Sequence, residues 1–259
     1  MARMPRARTT LLPDQDRRRF VVALVGGAAT SISARVLARI GVEGAFGALP
    51  RKVAGVSLPD GSLAMAAADL ARAASPPFLF NHCMRTFVFG ALLAERDHVA
   101  YDQEMIFIAA TLHDLGLTAR YATLDHSFEM DGADAAKAFL VSRGVTEARA
   151  ELVWNAIALH TSLLVEHQAP QVGLVGSGAG ADVFGSEIKS LPPDRVQAVA
   201  RAFPRLSFNT EFRDLLVDHC HRKPFAQRGT WLDTFCRAHN PGVQYGDLEK
   251  RLLDARIPE

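Results

Sequence analysis

His113 and Asp114 arrive together at the end of an apolar run, and that pair constrains the chain more than any other feature. The stretch Glu104-Met-Ile-Phe-Ile-Ala-Ala-Thr-Leu-His-Asp-Leu-Gly-Leu-Thr118 reads as a helix. Asp102 is placed to cap it, and Met105, Ile106, Ile108, Ala109 and Leu112 run along it as apolar residues. Gly116 then acts as a stop. A neutral imidazole beside a carboxylate at a helix end suits a divalent cation, because both are good ligands for a borderline metal. Taken alone, a hydrogen-bonded core histidine and a capping aspartate would be the simpler reading. The pair gains meaning only if distant parts of the chain supply partners.

Helical signals dominate the rest. Ser62 is placed to cap an alanine-rich helix over 62–74, stopped by Pro76-Pro77. A second helix is expected over about 80–95, with His82 in its first turn, and another over about 131–142, ended by Gly144. Thr146 is placed to cap a helix that reaches His160, with Val153, Ala156, Ile157 and His160 on one face. Later helices are expected at 193–202, 210–221, 231–238 and 247–255. No alternation of strands and helices appears, so the fold class is all-α, a helical bundle. A chain of 259 residues, 49% apolar and 22% charged, can bury one sizeable core and is not disordered. A net charge of +1 without a basic stripe gives no reason to expect nucleic acid as a partner.

Three groups of residues carry a resemblance. Asn81-His82-Cys83-Met84-Arg85-Thr86, Leu112-His113-Asp114-Leu115-Gly116 and Ala181-Asp182-Val183-Phe184-Gly185 follow the histidine, His-Asp pair and late aspartate of the HD-domain superfamily. Ser75 to His82, Phe128-Glu-Met-Asp-Gly-Ala-Asp-Ala-Ala136 and Ala156-Ile-Ala-Leu-His-Thr-Ser162 look like its branch of cyanamide hydratases and their bacterial relatives. The resemblance implies an HD domain over 62–240, preceded by a linker or extension over 35–61 and followed by a C-terminal helix over 241–259. It implies a metal held between helices by His82, His113, Asp114 and Asp182, with Zn as first choice and Fe or Mn as alternatives. Metal-activated water would add to a small nitrile- or cyanamide-type substrate.

Two departures sharpen this expectation. Many HD phosphohydrolases carry a lysine three residues after the motif aspartate; here that place is Leu117, and Arg120 is displaced by a turn. Phosphate recognition calls for Arg or Lys donors, so a nucleotide or phosphomonoester hydrolase is the second reading. The motif regions supply mainly Arg85, and it could equally be a buried structural partner. Dinuclear relatives place two more histidines before the last aspartate. His160 stands at one such place and Asp131 at the other, so one metal is expected, with Asp131 and His160 handling protons. For Asp131 the competing role is a helix N-cap. Asn81, Thr161 and Phe128 are candidates to touch a small-molecule substrate, and a homo-oligomer is compatible with the pattern.

Other features are weighed less. Gly176, Gly178 and Ala181 match a dinucleotide fingerprint, but Pro192-Pro193 interrupts the unit and no second strand follows. The run reads as a flexible helix-to-loop passage delivering Asp182. Cys83, Cys220 and Cys236 do not suggest a disulfide framework. Asp218-His-Cys-His-Arg-Lys223 reads as a solvated helix end, His126 as a loop residue bordering the pocket, and His98, His167 and His239 have no argued partner. The N-terminus has a basic region with Arg17-Arg18-Arg19-Phe20, then a short apolar run and small residues to Ala34. That pattern describes a twin-arginine export signal, implying a periplasmic or exported protein; an amphipathic first helix of a cytoplasmic protein is the alternative. The apolar run is too short and too rich in Gly, Ser and Thr for a stable membrane span.

Overall fold

Nine α-helices and one short hairpin make up the residues that the computed structural model describes, 49–162, 169–227 and 230–243. The chain divides into two units, Met1–Ala48 and Leu49–Glu259, and the description concerns the second. The expected export signal, the helix over 247–255 and His167 lie outside the described residues.

Within the stretch read as a linker or extension, the described residues hold a hairpin: β1 (Lys52–Val53) pairs antiparallel with β2 (Val56–Ser57). Ala54 and Gly55 both adopt positive φ at its turn, and Val53, Val56 and Leu58 are buried in the core. Helix α1 (Ser62–Ala74) matches its expected span, but Gly61 rather than Ser62 is its N-cap. Helix α2 (Pro77–Asp97) starts earlier than expected, with Pro77 in the first turn, where a missing N–H costs nothing. Helix α3 (Gln103–Leu112) begins as read, its Asp102 side chain accepting from the Met105 N–H, and a 3-10 turn (Leu115–Leu117) follows His113-Asp114. Then come α4 (Phe128–Val141), α5 (Glu147–Ala158), α6 (Pro170–Phe184), α7 (Pro193–Ala202), α8 (Phe208–Arg222) and α9 (Leu232–His239).

The glycine-rich stretch is not a flexible passage. It is the buried helix α6, and its glycines let α6 lie directly on α2 and on the turn after α5. A Cβ at Gly178 would fall 2.1 Å from the Thr86 carbonyl oxygen, and one at Gly176 would fall 2.6 Å from that of His160. Tertiary packing thus overrides the low helix propensity of glycine. The main core runs through α1 to α7. A smaller apolar group joins Leu79, Leu117 and Phe128 to Phe208, Phe212, Leu216 and Leu232 of α8 and α9.

Two expectations about the C-terminal part are corrected here. Cys220 and Cys236 form a disulfide joining α8 to α9 across a separation of 16 residues, and Cys83 is the free, buried cysteine. The run ending in Lys223 is a helix end solvated at Asp218, His221 and Arg222 but not throughout. Its His219 and Lys223 side chains are fully buried, His219 against Phe128 and Gln227, Lys223 against Asp131.

Candidate metal centre

Three residues from two elements converge. His82 projects from the second turn of α2, while His113 and Asp114 sit where α3 ends, so the end of one helix faces the flank of another. One ligand atom from each lies within 4.8 Å of the others. Asp114 Oδ2 is 3.5 Å from His82 Nε2 and 3.4 Å from His113 Nε2. All three residues are buried, and neither His113 Nε2 nor Asp114 Oδ2 has a hydrogen-bond partner. Buried polar atoms without partners are costly, and here they point at one another.

The opposite ring nitrogens explain why. His113 Nδ1 donates to the Ala110 carbonyl at 2.8 Å, and His82 Nδ1 donates to Asp182 Oδ2 at 2.7 Å. Each bond fixes the tautomer with its hydrogen on Nδ1, leaving a bare lone pair on Nε2 turned inward. Burial, reinforced by His82, holds the His113 imidazole down at about 3, so it is neutral near pH 7. Burial pushes the Asp114 carboxyl above its usual range, against the pull of His82 and His160. Two bare imidazole nitrogens and a carboxylate oxygen without a cation are a donor set that a divalent transition metal fits.

His160 stands beside this group. It follows α5 in a turn rather than within the helix, with Nδ1 donating to the Ile157 carbonyl at 2.6 Å and its ring edge-on to His113 at 4.9 Å. Burial and the neighbouring His113 hold its pKa at about 3. It therefore also presents a bare Nε2.

Asp182, expected as the fourth ligand, is placed otherwise. Oδ1 accepts from Arg85 Nε at 2.7 Å and Arg205 Nη1 at 2.8 Å. Oδ2 accepts from His82 Nδ1 and from Arg85 Nη2, both at 2.7 Å. Burial opposes its charge, but the bonds from His82 and Arg85 prevail and hold the carboxyl well below the usual range. Asp182 stands behind His82 and orients its ring, and Arg85 is its buried structural partner. Nothing in the sequence marked Arg205, which comes from the turn before α8.

Asp131 is also placed away from the centre. Ser127, not Asp131, caps α4, so Asp131 falls one turn inside the helix. Its Oδ2 accepts from Lys223 Nζ at 2.6 Å and from the Thr123 N–H at 2.8 Å, and its Oδ1 from the Thr123 hydroxyl at 2.7 Å. Its oxygens hold the 118–127 loop to the end of α8. Asn81 is likewise engaged elsewhere, donating to the Pro204 carbonyl. The His126 side chain is 56% exposed and does not line the cavity.

Phe128 and Thr161 do line it. The cavity holds about 300 Å³ and has His82, His113, Asp114 and His160 at its floor. Phe128, Val183, Phe184, Phe212 and Trp231 form its apolar walls, with the Phe184 and Trp231 rings edge-to-face at 5.1 Å. No Lys or Arg occurs among its described lining residues. Sequence reasoning did not single out Phe212, Trp231 or Glu129. Glu129 is buried beside Phe128 and accepts from the Thr161 hydroxyl at 2.6 Å. No motif marks it.

Residues 79–202 match the family model of the HD domain. Two yeast proteins, the cyanamide hydratases DDI2 and DDI3 of Saccharomyces cerevisiae, are each 25% identical to this chain over 193 residues, covering 73% of it and 86% of theirs.

Proposed function

From a chain that carries an HD domain with a metal-binding His82, His113 and Asp114 group, we propose a hydratase that adds water to a small nitrile- or cyanamide-type substrate. One observation carries this over the phosphohydrolase reading. The cavity above the centre has apolar walls broken by Ser and Thr hydroxyls and Glu187, and no Lys or Arg among its described lining residues. Arg85 and Arg205 are both engaged by Asp182. A phosphate dianion would be desolvated there without the donors that normally receive it, whereas a neutral nitrile needs only polarisation and a proton. The likeness to cyanamide hydratases supports the same substrate class.

A divalent cation, when bound, supplies Lewis acidity and lowers the pKa of a water. The chain's own residues manage orientation and the proton. Asp182 and the Ala110 carbonyl keep His82 and His113 in the tautomer that faces inward. Burial and the neighbouring His113 keep the His160 ring neutral at rest near pH 7. Its bare Nε2 can take a proton from water as the C–O bond forms, and an imidazolium so acidic returns that proton readily to the substrate nitrogen. The balance is one water added across carbon and nitrogen, cyanamide giving urea.

The test sets cyanamide and small nitriles beside phosphomonoesters with metal-loaded protein. Amide or urea formation without phosphate release is expected. His160→Ala should keep its metal and lose roughly 10²–10⁴-fold in turnover, the usual worth of a positioned proton-transfer group. Rapid phosphate release with no amide would reverse the assignment.

We also propose export through Arg17-Arg18. The Cys220–Cys236 disulfide supports it, since such bonds persist in oxidising compartments and are rare in reducing cytosol. Wild-type protein recovered outside the cytoplasm should lack the first thirty or so residues and titrate as a single free thiol, Cys83. With Arg17→Lys and Arg18→Lys the chain should stay in the cytoplasm at full length, with all three thiols free. Intact wild-type protein confined to the cytoplasm, seen by mass spectrometry, would refute export.

A further inference from the structure

Three buried carboxylates near the centre have clear employment. Asp114 faces the two imidazoles, Asp182 pairs with Arg85, and Asp131 pairs with Lys223. Glu129 does not. It is 1% exposed, makes no ion pair among the described residues, and its Oε2 has no hydrogen-bond partner. Burial raises its pKa, which makes the carboxyl a cost to the fold. Its Oε1 is met by the hydroxyl of Thr161, a residue of the cavity wall beside His160.

A threonine hydroxyl has one proton and two lone pairs. At Thr161 the proton goes to Glu129 Oε1, 2.6 Å away. What Thr161 Oγ1 offers the cavity is therefore an acceptor. We propose that Glu129 positions Thr161 Oγ1 as a hydrogen-bond acceptor that selects substrates bearing an N–H next to the reacting carbon, such as the amino group of cyanamide. This rests on the hydratase reading and deepens it. An acceptor held by a buried carboxyl also disfavours oxyanions, which bring no proton to share.

Dimethylcyanamide tests this because it keeps the reacting carbon and nitrogen and loses both N–H groups. The cavity of about 300 Å³ holds it easily, so exclusion by size does not confuse the comparison. With metal-loaded protein, Thr161→Val should lower kcat/KM for cyanamide by about tenfold, mostly through KM, as loss of one hydrogen bond does. Dimethylcyanamide should change less than about twofold, and Thr161→Ser should restore the cyanamide value. Glu129→Met should leave stability equal or higher, since an apolar group replaces an ill-satisfied buried carboxyl. It should nevertheless shrink the preference for cyanamide over dimethylcyanamide, because the freed hydroxyl can turn and donate into the cavity. Equal losses on both substrates in Thr161→Val would overturn the proposal. If wild type hydrates neither compound, the hydratase reading falls, and binding then decides the acceptor separately. Weakened binding of urea with unchanged binding of tetramethylurea in Thr161→Val, measured by calorimetry, would sustain it. Parallel changes would end it.

Discussion

Zinc-loaded wild-type protein should retain about one equivalent of metal through gel filtration, while His113→Ala and Asp114→Ala retain almost none. The expectation follows from bare lone pairs, not from the motif alone. His82 and His113 each have Nδ1 tied to a fixed acceptor, so neither ring can turn Nε2 away without breaking a buried hydrogen bond. Asp114 Oδ2 has no donor of its own. Removing either His113 or Asp114 leaves two of the three ligands, too few for a stable site. Metal also stabilises the state that binds it, by roughly 4 kcal/mol at a thousandfold excess over Kd, so added Zn²⁺ should raise the melting temperature of wild type only. Asp182→Asn should behave differently. Its carboxylate orients His82 from behind, so metal should still bind, weakened by roughly 10–100-fold. Equal metal contents in wild type and the His113 and Asp114 variants would sink the assignment. Total loss in Asp182→Asn would instead return Asp182 to the ligand set.

The metal donors were legible because chemistry and spacing coincide at them. His113-Asp114 ends an apolar helix whose cap, Asp102, behaves as its type predicts. Bundle membership was legible too, since most helix spans follow from caps, prolines and apolar periodicity. What escaped depends on distant neighbours. Nothing local tells a flexible glycine run from a helix shaved to fit against the carbonyls of Thr86 and His160. Cys220 and Cys236 lie 16 residues apart, and only the packing of α8 on α9 brings them together. The N-cap place that competed for Asp131 belongs to Ser127, one helical turn earlier. With Ser127 as the true cap, Asp131 turns toward Thr123 and Lys223 instead of the centre. Lys223, within a strongly polar run, carries no local sign of burial. Glu129 sits between Phe128 and Met130 with no spacing to single it out.

Lys223→Met should destabilise the fold by about 3–5 kcal/mol, the usual cost of leaving one member of a buried ion pair alone. Both side chains are essentially inaccessible, and Nζ lies 2.6 Å from Asp131 Oδ2. The same ammonium donates to the His126 carbonyl at 2.9 Å, so one group ties the 118–127 loop, α4 and the end of α8 together. Loss of the cation leaves buried Asp131 with its Thr123 donors and the His126 ring nitrogen 3.9 Å away. Replacing both partners should recover much of the loss, because two apolar groups of matching size need no compensation; Asp131→Leu with Lys223→Met is the closing arm of the cycle. The experiment also separates the two roles available to Asp131. A proton-transfer role predicts that Asp131→Asn keeps its urea midpoint and loses roughly 10²–10⁴-fold in turnover. The latch predicts a lower midpoint, with near-normal turnover per folded, metal-loaded molecule. Because Lys223 lies outside the cavity lining, Lys223→Met should follow the same pattern, and a turnover loss there without a stability loss would contradict the latch.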